Sequence, residues 1–157
     1  MLNIPTGIPA ALRLFLDTAS SPETRGALGQ AINAFHSRTV PHEAQRFVLL
    51  LRDESNQLVA GRGGALSWQW LFVEALWVSD AWRGHGIGRA LLTQAEAHAL
   101  AAGCPSVWLD TFQARGFYLA QGYRQFGVLP DYPPGQDRTF LCKRLVVAKG
   151  GLPVQCS

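Results

Sequence analysis

At 157 residues, nearly half of them apolar and only a sixth charged, the chain has the size of one folded domain, and its composition excludes a disordered segment or a coiled coil. Its net charge of +3 comes from scattered basic residues without a cluster or nucleic-acid motif, so nucleic acid is not expected as a partner and one anionic ligand suits the charge as well. No apolar run reaches the roughly 18 residues that cross a bilayer, and the N-terminus lacks a signal peptide's basic start, so no membrane partner is expected and a cytoplasmic location follows.

In chain order, Leu12 to Leu16 reads as a first strand, and Pro22 opens a helix running to about Ser37 through Leu28, Ile32 and Phe35. After Pro41, Phe47 to Arg52 and Leu58 to Trp68 read as the two strands of a hairpin with its turn at Ser55-Asn56. Trp68-Gln69-Trp70 marks the next turn, and Leu71 to Val78 a central strand aimed at Arg83-Gly84-His85-Gly86-Ile87-Gly88. Ile87, Leu91, Ala95 and Ala99 recur every fourth residue and predict a helix that Gly103 and Pro105 stop. Ser106 to Asp110 reads as a strand beside the central one, Gln113 to Gln121 as a short helix, and Thr139 to Val147 as a last strand. Alternating strands and helices give a mixed α/β sheet in one domain over residues 1–147, with a flexible tail over 148–157. The three cysteines, Cys104, Cys142 and Cys156, show no C-x-x-C or metal-ligand spacing with the four histidines. They read as plain thiols, without a structural disulfide, and no metal is expected.

Strand, glycine loop and helix in that order form a phosphate site, because backbone N–H groups and the positive helix end converge there. A nucleotide P-loop is excluded: it needs Gly-Lys-Ser/Thr, and Gly88 is followed by Arg89-Ala90. The dinucleotide pattern begins at Gly86 and Gly88 and has Asp110 about 20 residues on, but it meets Leu91 where its third glycine belongs, which disfavours a nicotinamide enzyme.

Arg83-Gly-His-Gly-Ile-Gly88 resembles, position by position, the loop of the acetyl-CoA-dependent GNAT superfamily of N-acetyltransferases, Arg/Gln-x-x-Gly-x-Gly/Ala. Ala114-Arg-Gly-Phe-Tyr-Leu-Ala-Gln-Gly-Tyr123 is similar to the family's second signature, and the two stand in the family's order. The resemblance covers residues 45 to 145 well. It implies an α/β (α+β) fold with a mixed, mostly antiparallel central sheet, a V-shaped splay between the central and following strands, and flanking helices. It also implies acetyl transfer from acetyl-CoA to a primary amine of a small molecule or peptide in a ternary complex.

By that resemblance the pantetheine arm pairs with the backbone of Leu76, Trp77 and Val78, and the pyrophosphate rests on amides from Gly84 through His85, Gly86, Ile87 and Gly88 to Arg89. Arg83 adds charge at the loop's edge or stands solvated there. Tyr118 matches the tyrosine that protonates the departing thiolate, against the plainer reading of a core tyrosine. Glu74, the charged residue of an apolar strand, matches a glutamate that acts as base in many members, against a structural ion pair; strict alternation puts it on the face of Phe72 and Leu76. The family's asparagine seven residues before the tyrosine is Thr111 here, with Gln113 as a substitute amide contact. Asp110 reads as a local cap or as an orienting group for the amine. Trp68, Trp70, Trp82 and Tyr132 could line an acceptor pocket, the loop Asp131 to Gly135 its rim, and His42-Glu43 could face it. An exposed patch at Trp68 and Trp70 would make a homodimer contact. The departure at Thr111 keeps a second reading open, an acyl-CoA-binding regulatory module without catalysis.

Overall fold

The computed structural model describes residues 7–9, 11–41 and 44–145. They fall in two compact units that divide after residue 42. His42, Glu43 and the tail predicted over 148–157 lie outside the described residues.

The first unit holds helix α1 (Pro22–His36). Ser21 caps it, its side chain accepting from the Thr24 N–H at 3.2 Å, and Pro22 at the first helical position needs no N–H partner. The strand predicted over Leu12 to Leu16 does not form. A strand needs a neighbouring ladder, and the described residues of this unit contain no second extended segment to supply one.

The second unit is a six-stranded sheet in the order β1-β2-β3-β4-β6-β5, with β1 (Gln45–Arg52), β2 (Leu58–Ser67), β3 (Trp70–Val78), β4 (Ser106–Thr111), β5 (Arg124–Leu129) and β6 (Arg138–Arg144). Asp53 shapes the first hairpin by accepting from the Ser55 and Gln57 N–H groups, both at 2.9 Å. Trp68 and Gln69, both at positive φ, form the two-residue turn between β2 and β3. Every pairing is antiparallel except β3 with β4, which the helix α2 (Ile87–Ala101) connects. A short helix, α3 (Arg115–Ala120), leads from β4 to β5. Strand β5 was not foreseen: Gly127 interrupts its pattern, and five of its six residues are exposed and the sixth half-buried at the sheet edge, without an apolar alternation.

Two irregularities position the site. The β3–β4 register ends at Phe72 opposite Trp108, whereas β3 continues to Val78 and β4 to Thr111, so the strands part and leave the expected splay. In the β2–β3 ladder Gly63 lies opposite Ala75 and Gly64 opposite Val73, which makes Glu74 the extra residue of a β-bulge. Gly64 is required beside it, since a Cβ there would stand 2.9 Å from Leu71 and 3.1 Å from Phe47.

Helix α2 covers one face of the sheet with Leu92, Ala95 and Ala99 in one core with Leu66, Leu71, Val73, Val107, Leu109 and Leu141, and its Leu91 is buried as well. Among the described residues no helix is long and apolar enough to cross a membrane, and no group of three His, Cys, Asp or Glu side chains could hold a metal. Cys104 is a buried free thiol. Cys142 is disulfide-bonded, so the expectation of plain thiols fails there; sequence spacing does not reveal which thiols the fold brings together.

Candidate active site

Where β3 and β4 part, a cleft of about 550 Å³ opens. Leu76, Trp77 and Val78 of β3 line one side, and Arg83, Gly84, Gly86, Ile87, Gly88 and Arg89 form its end. Gln113, Ala114, Phe117 and Gln121 line the other side, and Trp82 stands at the loop. The fold therefore gathers the residues assigned to the cofactor into one cavity, except His85. That side chain is exposed, and its Nδ1–H donates to the Arg83 carbonyl at 2.9 Å.

The loop suits an anion. Gly84 and Gly86 have φ of +80° and +78°, and Gly86 is the N-cap of α2 without a side-chain cap bond. The first backbone bond across the helix start runs from the Ala90 N–H to the Gly86 carbonyl, so the amides of Ile87, Gly88 and Arg89 have no partner within the helix. No acidic residue sits in that first turn, and a Cβ built on Gly84 or Gly86 would meet nothing within 4 Å. Open space, free donors and the positive helix end are what a pyrophosphate requires. Arg83, which lines the end of the cleft, also binds the backbone: its Nε–H donates to the Val78 carbonyl at 3.1 Å and Nη1 pairs with Asp80 at 2.7 Å. It fastens the end of β3 to the loop.

Glu74 does not follow strict alternation. Leu76 packs toward the core and Phe72 stacks on Trp108 with ring centroids 4.2 Å apart, so the bulge separates two residues that alternation would place together. Glu74 forms an ion pair with Arg46 of β1, whose neighbour Phe47 packs on His98 of α2. Arg46 and Glu74 therefore share the sheet face turned away from α2. Glu74 lies two residues before the cleft-lining Leu76 and does not itself line the cleft.

Tyr118 is buried, 6% exposed, beside the lining residue Phe117, with ring centroids 5.0 Å apart. Its other neighbour is Tyr123 at 5.6 Å, whose hydroxyl donates to Glu96 Oε1 at 2.8 Å. Lys143 holds the same carboxylate at 2.9 Å. Burial raises the pKa of both tyrosines, and the Glu96 charge raises that of Tyr123 further. The stability carried by the neutral phenols is therefore fully present below the unfolded tyrosine pKa of about 10, and is lost above it as the unfolded chain releases protons that the native state keeps. Urea unfolding is expected to show stability falling as the pH rises above about 10, less steeply in a Tyr123→Phe variant. An equal loss in that variant would contradict this assignment.

Thr111 holds the start of α3, its hydroxyl accepting from the Ala114 N–H at 3.1 Å. Asp110 is no cap: it pairs with Arg138, whose guanidinium lies over the Tyr132 ring at 4.5 Å. The four aromatics expected around an acceptor do not gather. Trp68 and Trp70 stand at the turn end of β3, Trp82 at the cleft, and Tyr132 on Arg138. Phe117 and Gln121 were missed as lining residues; their spacing from Ala114, three and seven residues along one helix face, is the signal that finds them.

This splayed sheet with a glycine loop at a helix start defines a class, and the model of the acetyltransferase (GNAT) family matches residues 9–123. The chain belongs to that family of acyltransferase enzymes. A blasticidin-S acetyltransferase of Streptomyces morookaense is 44% identical over 95 residues, covering 59% of this chain and 70% of the relative. The crystal structure of a candidate acetyltransferase from Agrobacterium tumefaciens superposes with a TM-score of 0.80 at 28% identity, over 85% of this chain and 99% of that one. An aminoglycoside 6'-N-acetyltransferase crystallised with coenzyme A shares the fold, with a TM-score of 0.59 at 16% identity over 83% of this chain and 96% of that one.

Proposed function

We propose that the protein transfers the acetyl group of acetyl-CoA directly to a primary amine of a small molecule. The observation that carries this reading is the single cleft joining Leu76 to Val78, the stretch of β3 that β4 leaves unpaired, to the free amides at the start of α2. An extended arm ending in a pyrophosphate matches that combination of sheet edge and anion site. The blasticidin-S relative and the coenzyme A complex of the same fold support a small acceptor and this co-substrate; peptides remain the second acceptor class.

When bound, acetyl-CoA supplies the activated acetyl group. The β3 amides beside it would hold the arm in line and polarise the carbonyl, a contact worth a few kcal/mol in a dry site. Glu74 would take the proton of the attacking amine, and Tyr118 would supply one to the leaving sulfur. A Glu74→Gln variant is expected to lose about 10- to 100-fold in kcat near neutral pH. Its rate should rise with pH as free amine replaces ammonium, whose pKa lies near 10. A flat pH profile with full activity would remove Glu74 as the base.

The reading as a whole is tested by titrating acetyl-CoA and NAD calorimetrically, then following thiol release with small amines and lysine peptides. Acetyl-CoA binding with amine-dependent release is expected. No binding at millimolar acetyl-CoA would overturn the reading, and binding without release from any amine would favour the regulatory module.

A further inference from the structure

Strand β2 alternates, with Ala60, Arg62, Gly64 and Leu66 buried and Gly61, Gly63 and Ala65 on the face turned away from α2. The space left by Gly61 is filled: a Cβ there would stand 3.1 Å from Leu50 Cδ2 and 3.2 Å from the Leu49 carbonyl oxygen. The space above Gly63 is open. A Cβ there would make only ordinary contacts, 3.9 Å from Glu74 Oε2 and 3.9 Å from Val48 Cγ1, and Gly63 has no positive φ. Neither packing nor torsion therefore demands a glycine at this position, in contrast to Gly64 beside it.

Val48, Gly63 and Ala75 are register partners across β1, β2 and β3, and Val48 and Ala75 are both exposed. The result is a notch open to solvent, with Gly63 as floor, the apolar Val48 as one wall and the Glu74 carboxylate as the other. Arg46, on the same face, holds Oε1 of that carboxylate, and Oε2 is the oxygen nearest the notch. Ala75 leads directly to Leu76, where the cleft begins. We propose that this notch is the subsite for the acceptor's amine, that it takes a primary ammonium on an apolar stem lying against Val48, and that Arg46 is a positioning residue that keeps Glu74 Oε2 aimed into it. This rests on the transfer reaction proposed above, with Glu74 as base. An ammonium N–H bond breaks with its electron pair left on nitrogen, and the proton goes to Oε2. That pair forms the N–C bond as the C–S bond breaks with its pair on sulfur. The second proton shed by nitrogen balances the one that sulfur gains from Tyr118, and Glu74 returns its own to water.

The test titrates n-butylammonium chloride into the full-length protein carrying ¹³C-labelled glutamate, with sodium chloride at equal concentrations as control. The Glu74 carboxyl signal, assigned by its loss in Glu74→Gln, is expected to shift saturably within about 0.1 M probe. Gly63→Ala places a methyl group where the ammonium would sit. It should weaken the probe at least about fivefold and keep Tm at or above wild type, because alanine fits there and restricts the unfolded chain. Arg46→Met should bind the probe at least as well as wild type, since a like charge is removed, yet lower kcat about tenfold with the fastest amine of the panel, and Arg46→Lys should recover most of that rate. No saturable shift beyond the sodium chloride control, unchanged probe binding in Gly63→Ala, or wild-type kcat in Arg46→Met would each overturn the inference. The titration needs neither acetyl-CoA nor turnover, so it decides the subsite even where no amine releases thiol, a result that counts against the transfer reaction itself.

Discussion

Replacing Tyr118 by Phe is expected to lower kcat about 100-fold while acetyl-CoA affinity stays within about twofold of wild type. The two effects separate because of where the ring sits. Its packing against Phe117 at 5.0 Å and Tyr123 at 5.6 Å involves the ring, which phenylalanine keeps. Tyr118 is also absent from the walls of the cleft, so ground-state binding loses nothing direct. What disappears is one buried hydroxyl and its proton. Steady-state thiol release and calorimetric titration of acetyl-CoA on the same preparations decide the matter, and unchanged turnover would end the role of Tyr118 as acid.

Gly86→Val should weaken acetyl-CoA binding by more than about tenfold, through the backbone and not through a clash. Gly86 holds φ of +78° and a Cβ there would meet no atom within 4 Å, so the space is available and the torsion is not. A β-branched residue in this region costs about 1–2 kcal/mol or relaxes away from it. Relaxation would redirect the amides of Ile87, Gly88 and Arg89, which form the proposed anion site. The fold should survive, because α2 is anchored by Leu91, Leu92, Ala95 and Ala99. Gly103→Val supplies the control: its φ is +79° just past the other end of α2, about 20 Å away. It should lower Tm comparably and leave the dissociation constant unchanged. Equal affinity losses in both variants would attribute the effect to general destabilisation.

The glycine loop was legible in the sequence because its signals are backbone signals. Glycines at fixed offsets between an apolar run and a fourfold-spaced helix state a conformation, and Gly84, Gly86 and the start of α2 adopt it. Strand β3 was readable as an apolar run and helix α2 by its fourfold spacing. Side-chain partnerships were not legible. Nothing local says that Glu74 meets Arg46 across two strands, that Arg138 claims Asp110, or that Arg62 is sealed under α2. These depend on register, and one inserted residue at the β2–β3 bulge was enough to separate Phe72 from Leu76. Strand β5 was missed because an edge strand with little buried surface carries no strong alternation. The run Leu12 to Leu16 misled in the opposite sense: apolar content suggests a strand, but pairing makes one.

The parting of β3 from β4 gives this sheet an edge in its own interior. Open edges ordinarily invite stray strands, and proteins blunt them with charges, proline or bulges. This one is guarded by its shape. The two strands rejoin at Phe72 and Trp108, so the slot is blind at that end and opens only beyond Val78. A foreign strand cannot run through it; only the tip of a narrow thread can enter and stop there. The same wedge that is shaped for a slender ligand thus keeps other polypeptides from extending the sheet.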